Sequence, residues 1–211
     1  WSAFYMSEAA WAFISGILFY LMILGYFAFE LARNFVLRKS YKNVEMLPEV
    51  NEDGQIMGRA PRDRFHFNKK GKMLHPVVHM HVFNPRGEIF LQYRPPYKDV
   101  QPDKWDTAVG GHVSFGETIE EALKRETFEE IGLTDYKPVF LAKYTWETDV
   151  EKELVYMFMT VTGSMPVINP GELADGKFWS ADDVMAGKKS GRFTPNFMHE
   201  FDMMQRNSVI R

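Results

Sequence analysis

Residues 110–133 read GGHVSFGETIEEALKRETFEEIGL, and the rest of the chain is organised around them. Just before them, residues 105–109 (WDTAV) alternate enough to predict a strand. Gly110-Gly111 is expected to end that strand, where the backbone turns or comes close to a ligand. After Phe115-Gly116 the pattern predicts a helix opening at Glu117-Thr118 and running through Ile131, with Gly132 stopping it. Ile119, Ala122, Leu123 and Ile131 supply its buried side. Glu126, Glu129 and Glu130 stand at i, i+3 and i+4, so they share one face. Such carboxylates repel one another, at a cost of roughly a few tenths of a kcal/mol per pair in an isolated helix. A divalent cation reverses that sign, because hard cations such as Mg²⁺ take carboxylate oxygens together with waters and phosphate oxygens. By spacing alone, a solvated acidic face accounts for the same residues.

The longer pattern separates the two readings. Gly111, five residues, Glu117, seven residues, Arg125-Glu126, two residues, Glu129-Glu130, one residue and Gly132-Leu133 together resemble a complete Nudix box. Thr127 stands where an aliphatic is commoner. The resemblance covers residues 45–205 and leaves residues 1–44 outside. It implies an α/β fold, an α/β/α sandwich with a mixed central sheet, preceded here by a hydrophobic N-terminal helix. It also implies water attack on a diphosphate joined to another group, with Mg²⁺ or Mn²⁺ as cofactor. Carried over by position, Glu126 and Glu130 are the expected metal ligands, followed by Glu129, the Gly111 carbonyl and Glu117. Arg125 is expected to hold the glutamates by bidentate bonds. Glu129 is the first choice of general base, with Glu147, Asp149, Glu151 and Glu172 as carboxylates on later loops.

Net charge is −3 over 211 residues, which argues against a basic surface holding a nucleic acid polymer. Cysteine is absent, which removes disulfides, thiolate nucleophiles and cysteine-ligated zinc. That absence bears on a second resemblance. Residues 105–112 (WDTAVGGH) and the prelude at residues 47–71 are similar to the Nudix subgroup related to isopentenyl-diphosphate isomerase, where a catalytic cysteine precedes Gly-His. Here Gly110 takes that place, so the resemblance points to hydrolysis before isomerisation. A ligand-sensing module at a membrane is the reading from another class, and a complete acidic constellation counts against it.

Residues 9–29 (AAWAFISGILFYLMILGYFAF) carry no charge and, as a helix, span about 30 Å, the thickness of a bilayer core. Arg33, Arg38, Lys39 and Lys42 follow, which puts the catalytic part, residues 45–211, on the cytoplasmic side. Two readings of residues 1–44 stay open: an anchor on the inner face of a membrane with a basic linker, or a non-native extension ahead of a start near Met46.

Residues 47–58 predict a hairpin turning at 51–54. Residues 75–84 (HPVVHMHVFN) predict a strand with Val77, His79, His81 and Phe83 on one face and Val78, Met80 and Val82 on the other. His79 and His81 either bond to neighbours, touch substrate or ligate metal. Arg94 and Lys98 lie on a loop whose cations can meet substrate phosphates, and His112 can touch the same group; each is equally read as a solvated or satisfied polar residue. Residues 138–146 and 153–162 predict paired strands, Ser180 caps a short helix, and Thr194-Pro195 opens a last one. Substrate choice is expected in loops 94–104, 147–152 and 165–171, with Tyr97, Trp105, Trp146 and Trp179 able to stack on a base or pack in the core. The expected partner is a small-molecule diphosphate, and relatives of this kind commonly dimerise.

Overall fold

The computed structural model describes residues 7–41, 44–66, 71–98 and 100–210. Lys42 of the basic flank and residues 67–70 of the prelude lie outside the described residues. Two compact units result, residues 1–44 and 45–211. Among the described residues the first holds one helix, α1 (Glu8–Tyr41), longer than the uncharged run. Within it Glu8–Arg33 is long and apolar enough to cross a membrane by length and composition, with none of that window buried. Trp11, Phe13, Leu18 and Tyr20 are exposed along it, and Glu30 pairs with Arg33 at 2.7 Å.

The second unit opens with the hairpin β1 (Met46–Val50) and β2 (Ile56–Pro61). Its centre is β3 (Leu74–Phe83), a ten-residue strand buried along its whole length. On one side β3 runs parallel to β8 (Lys152–Val161), matched from Leu74↔Lys152 to Phe83↔Val161. Its other side is shared. β6 (Val109–His112) pairs antiparallel with residues 77–80, and β4 (Ile89–Tyr93) pairs with Val82 and Phe83. β4 continues outward to β5 (Trp105–Asp106) and β9 (Asp175–Trp179), while β7 (Val139–Glu147) lies on β8.

Alternation along β3 sorts the core into two layers. Val78, Met80 and Val82 face α2 (Ile119–Ile131), where Ala122, Leu123 and Ile131 meet them. Phe83, with Ile89, Leu91 and Met157, faces α3 (Ala181–Gly187) and α4 (Pro195–Arg206), which bring Val184, Phe197, Phe201 and Met204. This is an α/β sandwich with a mixed central sheet. Burying each of these large apolar side chains contributes about 1.5–3 kcal/mol before the entropy of ordering it.

One sequence expectation is corrected. Gly110-Gly111 does not end a strand; both glycines lie inside β6. The break falls at residues 107–108, because Trp105 and Asp106 pair with β4 whereas residues 109–112 pair with β3. The chain changes neighbour there, and the ladder cannot run through. The helix starts as the residues dictate: Thr118 accepts from the Glu121 N–H, and the Glu121 carboxylate accepts from the Thr118 N–H at 2.9 Å, a capping box. Gly132 closes it at φ 63°, a left-handed conformation that costs glycine nothing.

Candidate active site

The acidic face of α2 meets strand β6 because position 111 has no side chain. A Cβ on Gly111 would run into the carboxylate of Glu126. One turn further on, Glu130 is buried, only 7% exposed, and its Oε2 accepts from the Gly110 N–H at 3.1 Å and from Gln92 Nε2 at 3.3 Å. Glu129 is the exposed member; its main-chain carbonyl accepts from Asn169 Nδ2 at 3.0 Å, which docks the loop after β8 onto the end of α2.

Arg125 brackets these acids. Its Nε and Nη2 donate to the two oxygens of Glu117 at 2.8 Å each. Nη1 donates to Glu126 at 2.7 Å and to Glu129 at 3.2 Å, and Nη2 also reaches the His112 carbonyl at 3.0 Å. Glu117 sits just ahead of the helix, where it also accepts from the Ser114 N–H at 3.1 Å. The Arg125 bond, first of all, holds the Glu117 carboxyl below its ordinary range. The two inner acids go the other way. Burial raises Glu126, and burial with the neighbouring charge of Glu126 pushes Glu130 up to about 8. One arginine does not compensate this cluster. Carboxylate oxygens short of positive charge are the donor set of a hard divalent cation, so Glu126, Glu129, Glu130 and Glu117 could hold Mg²⁺ or Mn²⁺. The Gly111 carbonyl does not join them: the Gly110 N–H turns outward to Glu130 and the Val113 N–H bonds the Pro76 carbonyl, so the alternation of the antiparallel ladder points the Gly111 carbonyl at β3.

The two expected phosphate-binding cations lie near this face but are engaged. Arg94 donates to the Val100 carbonyl at 3.2 and 2.9 Å and to Asp106 at 3.1 Å, holding its own loop in shape. Lys98 pairs with Glu172 at 3.1 Å, and the neighbouring Tyr97 hydroxyl donates to the Gly171 carbonyl at 3.2 Å. Both cations still act on Glu130 through space. Among the loop acids, Glu147 pairs with Lys72 and Lys152, Asp149 is exposed, and Glu151 is buried against His66. Trp105 and Trp179 pack edge to face with centroids 5.2 Å apart in the layer under α4, whereas Tyr97 is exposed.

The other face of the sheet holds two groups of histidines brought together from separate segments of the chain. His112, one residue beyond Gly111, turns its ring away from the box acids. It joins His66 and His75, with one ligand atom of each within 4.8 Å of the others. His66 Nε2 and both ring nitrogens of His75 are buried with no partner in hydrogen-bond geometry among the described residues. Burial drives His75 down to about 3 and lowers His112, so both rings are neutral with lone pairs available. Glu151 bonds His66 Nδ1 at 2.8 Å, and Glu45 lies 3.3 Å from His112 Nδ1, each in the position of an outer carboxylate that orients a ligating imidazole. Neutral imidazoles with satisfied outer partners can hold a borderline cation such as Zn²⁺ or Mn²⁺. Of the three, only His112 has a local signal in the sequence, its place beside the glycine pair. The other two carry no local signal, since His66 sits in an irregular segment and His75 opens a strand.

His79 and His81 both turn inward to one carboxylate. Glu200 of α4, fully buried, places Oε1 2.9 Å from His79 Nδ1. Its Oε2 is 3.0 Å from His81 Nε2, within reach of charge attraction but outside hydrogen-bond geometry. The Tyr144 hydroxyl donates to Glu200 Oε1 at 2.8 Å. Burial alone would raise Glu200; the two imidazoles hold it well below the ordinary carboxylate range.

Comparison with known proteins agrees with this geometry. The NUDIX domain model matches residues 73–200. An uncharacterized Nudix hydrolase of Listeria monocytogenes is 32% identical over 126 residues, covering 59% of this chain and 74% of that relative. An isopentenyl-diphosphate Delta-isomerase of Pectobacterium atrosepticum is 30% identical over 139 residues, covering 64% and 76%. Among solved structures, DR0079 from Deinococcus radiodurans superposes with a TM-score of 0.60 at 25% identity, over 71% of this chain and 92% of that one. The MutT protein of Methanosarcina mazei shares the fold with a TM-score of 0.56 at 21% identity, over 64% and 95%. With the domain model matched over more than half of the chain and the acids of α2 gathered on a glycine of β6, the chain belongs to the Nudix family and is a Nudix-type hydrolase of diphosphate linkages.

Proposed function

We propose that this hydrolase splits the diphosphate linkage of a nucleoside diphosphate joined to another moiety, by attack of water at phosphorus, with Mg²⁺ or Mn²⁺ as cofactor. The observation that carries the reading is Glu130, buried beside Glu126 with its carboxyl pushed up to about 8. A desolvated carboxyl of that kind is costly to ionise without a cation. When bound, the cation neutralises charge on the phosphate oxygens and makes a coordinated water more acidic. The protein's own part is positioning. Arg125 fixes Glu117 and Glu126, the Gly110 N–H orients Glu130, and Glu129, the exposed acid, takes the proton of the attacking water. A bond forms from that water's oxygen to phosphorus, the bridging P–O bond breaks, and two phosphate-bearing products leave.

An isomerase reading needs a proton donor at position 110, and Gly110 offers none. The length and apolar surface of α1 support a second proposal: residues 1–44 anchor the chain on the inner face of a membrane and residues 45–211 form the catalytic domain in the cytoplasm.

The test is product release by the full chain from a panel of nucleoside triphosphates, ADP-ribose, NADH, dinucleoside polyphosphates and prenyl diphosphates, with and without Mg²⁺ or Mn²⁺. Metal-dependent turnover that falls about 10²–10³-fold in Glu130→Gln is the expected result. Equal turnover in Glu130→Gln, or none on any member while the folded chain still binds a ligand, sinks the reading; the latter outcome transfers support to a sensor.

A further inference from the structure

Glycine at position 110 has no conformational reason to be there. Its backbone is ordinary strand, outside the set of positive-φ residues. A Cβ would meet Cδ2 and Nε2 of His79 at 3.5 Å and Thr107 Cγ2 at 3.7 Å, ordinary contact distances. A methyl group fits. Its effect would be to cover the Nε2 edge of His79.

His79 is held from behind. The residue is 8% exposed, and Nδ1 is committed to Glu200 at 2.9 Å. Glu200 is itself fixed by the Tyr144 hydroxyl at 2.8 Å and approached by His81 at 3.0 Å. Burial disfavours the charged ring, but Glu200, helped through space by Glu153 and Asp106, wins and pushes His79 up to about 9. With Nδ1–H spent on a carboxylate, a protonated ring has one donor left, Nε2–H, and that atom lies 3.5 Å from the place a Cβ on Gly110 would take. A buried imidazolium presenting a single N–H beside a strand with no side chain in the way is suited to an anionic oxygen.

We propose that His79 contacts substrate: held by Glu200, it donates Nε2–H past Gly110 to a phosphate oxygen, on the face of β6 opposite the box acids. Strand β6 is then read from both sides, its Gly110 N–H orienting Glu130 and its open Cα position admitting the anion to His79. The inference rests on the diphosphate reading for the identity of the anion.

The experiment titrates the full chain with inorganic phosphate, without divalent metal, and follows the histidine ring nitrogens by NMR in the wild type and in Gly110→Ala. Saturable movement of the His79 Nε2–H signal is expected in the wild type. Gly110→Ala should weaken phosphate binding about ten- to hundred-fold, the loss of one hydrogen bond to a charged group, with its melting temperature unchanged. Phosphate that moves no His79 resonance, or binds Gly110→Ala as tightly as wild type, overturns the proposal. Metal-dependent turnover on the same samples keeps the two readings apart. Turnover without a phosphate response at His79 sinks this inference alone, and a response without turnover sinks the hydrolase reading while leaving an anion site.

Discussion

Arg125 spends its planar fork on three carboxylates and a carbonyl, so the acids of α2 stand where they do because one guanidinium spans them. Lysine has one point charge and no fork, and the bracket would open. Gly111 matters for the opposite reason, having no atoms to spare. Gly111→Ala should drive the Glu126 carboxylate off its place by about an ångström and lower kcat about a hundred-fold, with secondary structure by circular dichroism unchanged. A kcat within twofold of wild type would show that the close approach does not matter. The histidines of the far face carry a separate prediction. In a Glu130→Gln background, calorimetric titration should find one equivalent of Zn²⁺, lost on adding His75→Ala. Equal binding with and without His75 would reduce the cluster to core packing. The acids were readable from spacing, since neighbours on a helix are neighbours in sequence. His66 and His75 were not, because their approach to His112 is made by the sheet.

At the scale of elements, β3 shows what alternation reveals and what it hides. Its two faces were legible in HPVVHMHVFN, and the apolar face packs on α2 as the pattern requires. What receives the histidine face was not legible: Glu200 lies 121 residues from His79 in the chain. Helix α4 brings it there because Phe197, Phe201 and Met204 are buried on the same side of the helix. The pair has a pH signature. His79 is raised to about 9 from an ordinary 6.5, so its stabilisation is complete below 6.5 and lost as pH rises through 9. Glu200 is lowered from an ordinary 4.5, so its stabilisation is complete above 4.5 and lost in stronger acid. Glu200→Gln should therefore cost about 3–5 kcal/mol in urea unfolding between pH 4.5 and 6.5, the usual penalty for breaking a buried pair, and less toward pH 9. A cost that stays constant from pH 5 to 9 would mean that no ion pair is present.

At the scale of the whole molecule, the core clusters of the second unit run, among the described residues, from Val50 to Ile210, and the described side chains along the apolar stretch of α1 are largely exposed. Deleting residues 1–44 should leave the urea midpoint of residues 45–211 unchanged and abolish flotation with phospholipid vesicles, which the full chain should show. A truncated protein that still floats, or that unfolds at lower urea, would place the function of α1 elsewhere. Long single-sign runs of apolar residues are legible without a fold, because crossing a bilayer is a matter of length and composition.

Short-range properties made α2 legible in the sequence: its opening at Glu117-Thr118, its stop at Gly132 and the face shared by Glu126, Glu129 and Glu130, while the capping box at Thr118 emerged from the structure. The sequence by itself also determined the alternation of β3. Only the tertiary structure decided that Gly110 and Gly111 sit inside a strand, that Arg94 is tied to its own loop and Lys98 to Glu172 on the loop after β8, and which partners surround the histidines. The physical reason is the same in each case. A strand exposes two edges and two faces, and which neighbours fill them depends on residues brought from distant parts of the chain by burial of the apolar face, a constraint that acts on the whole fold.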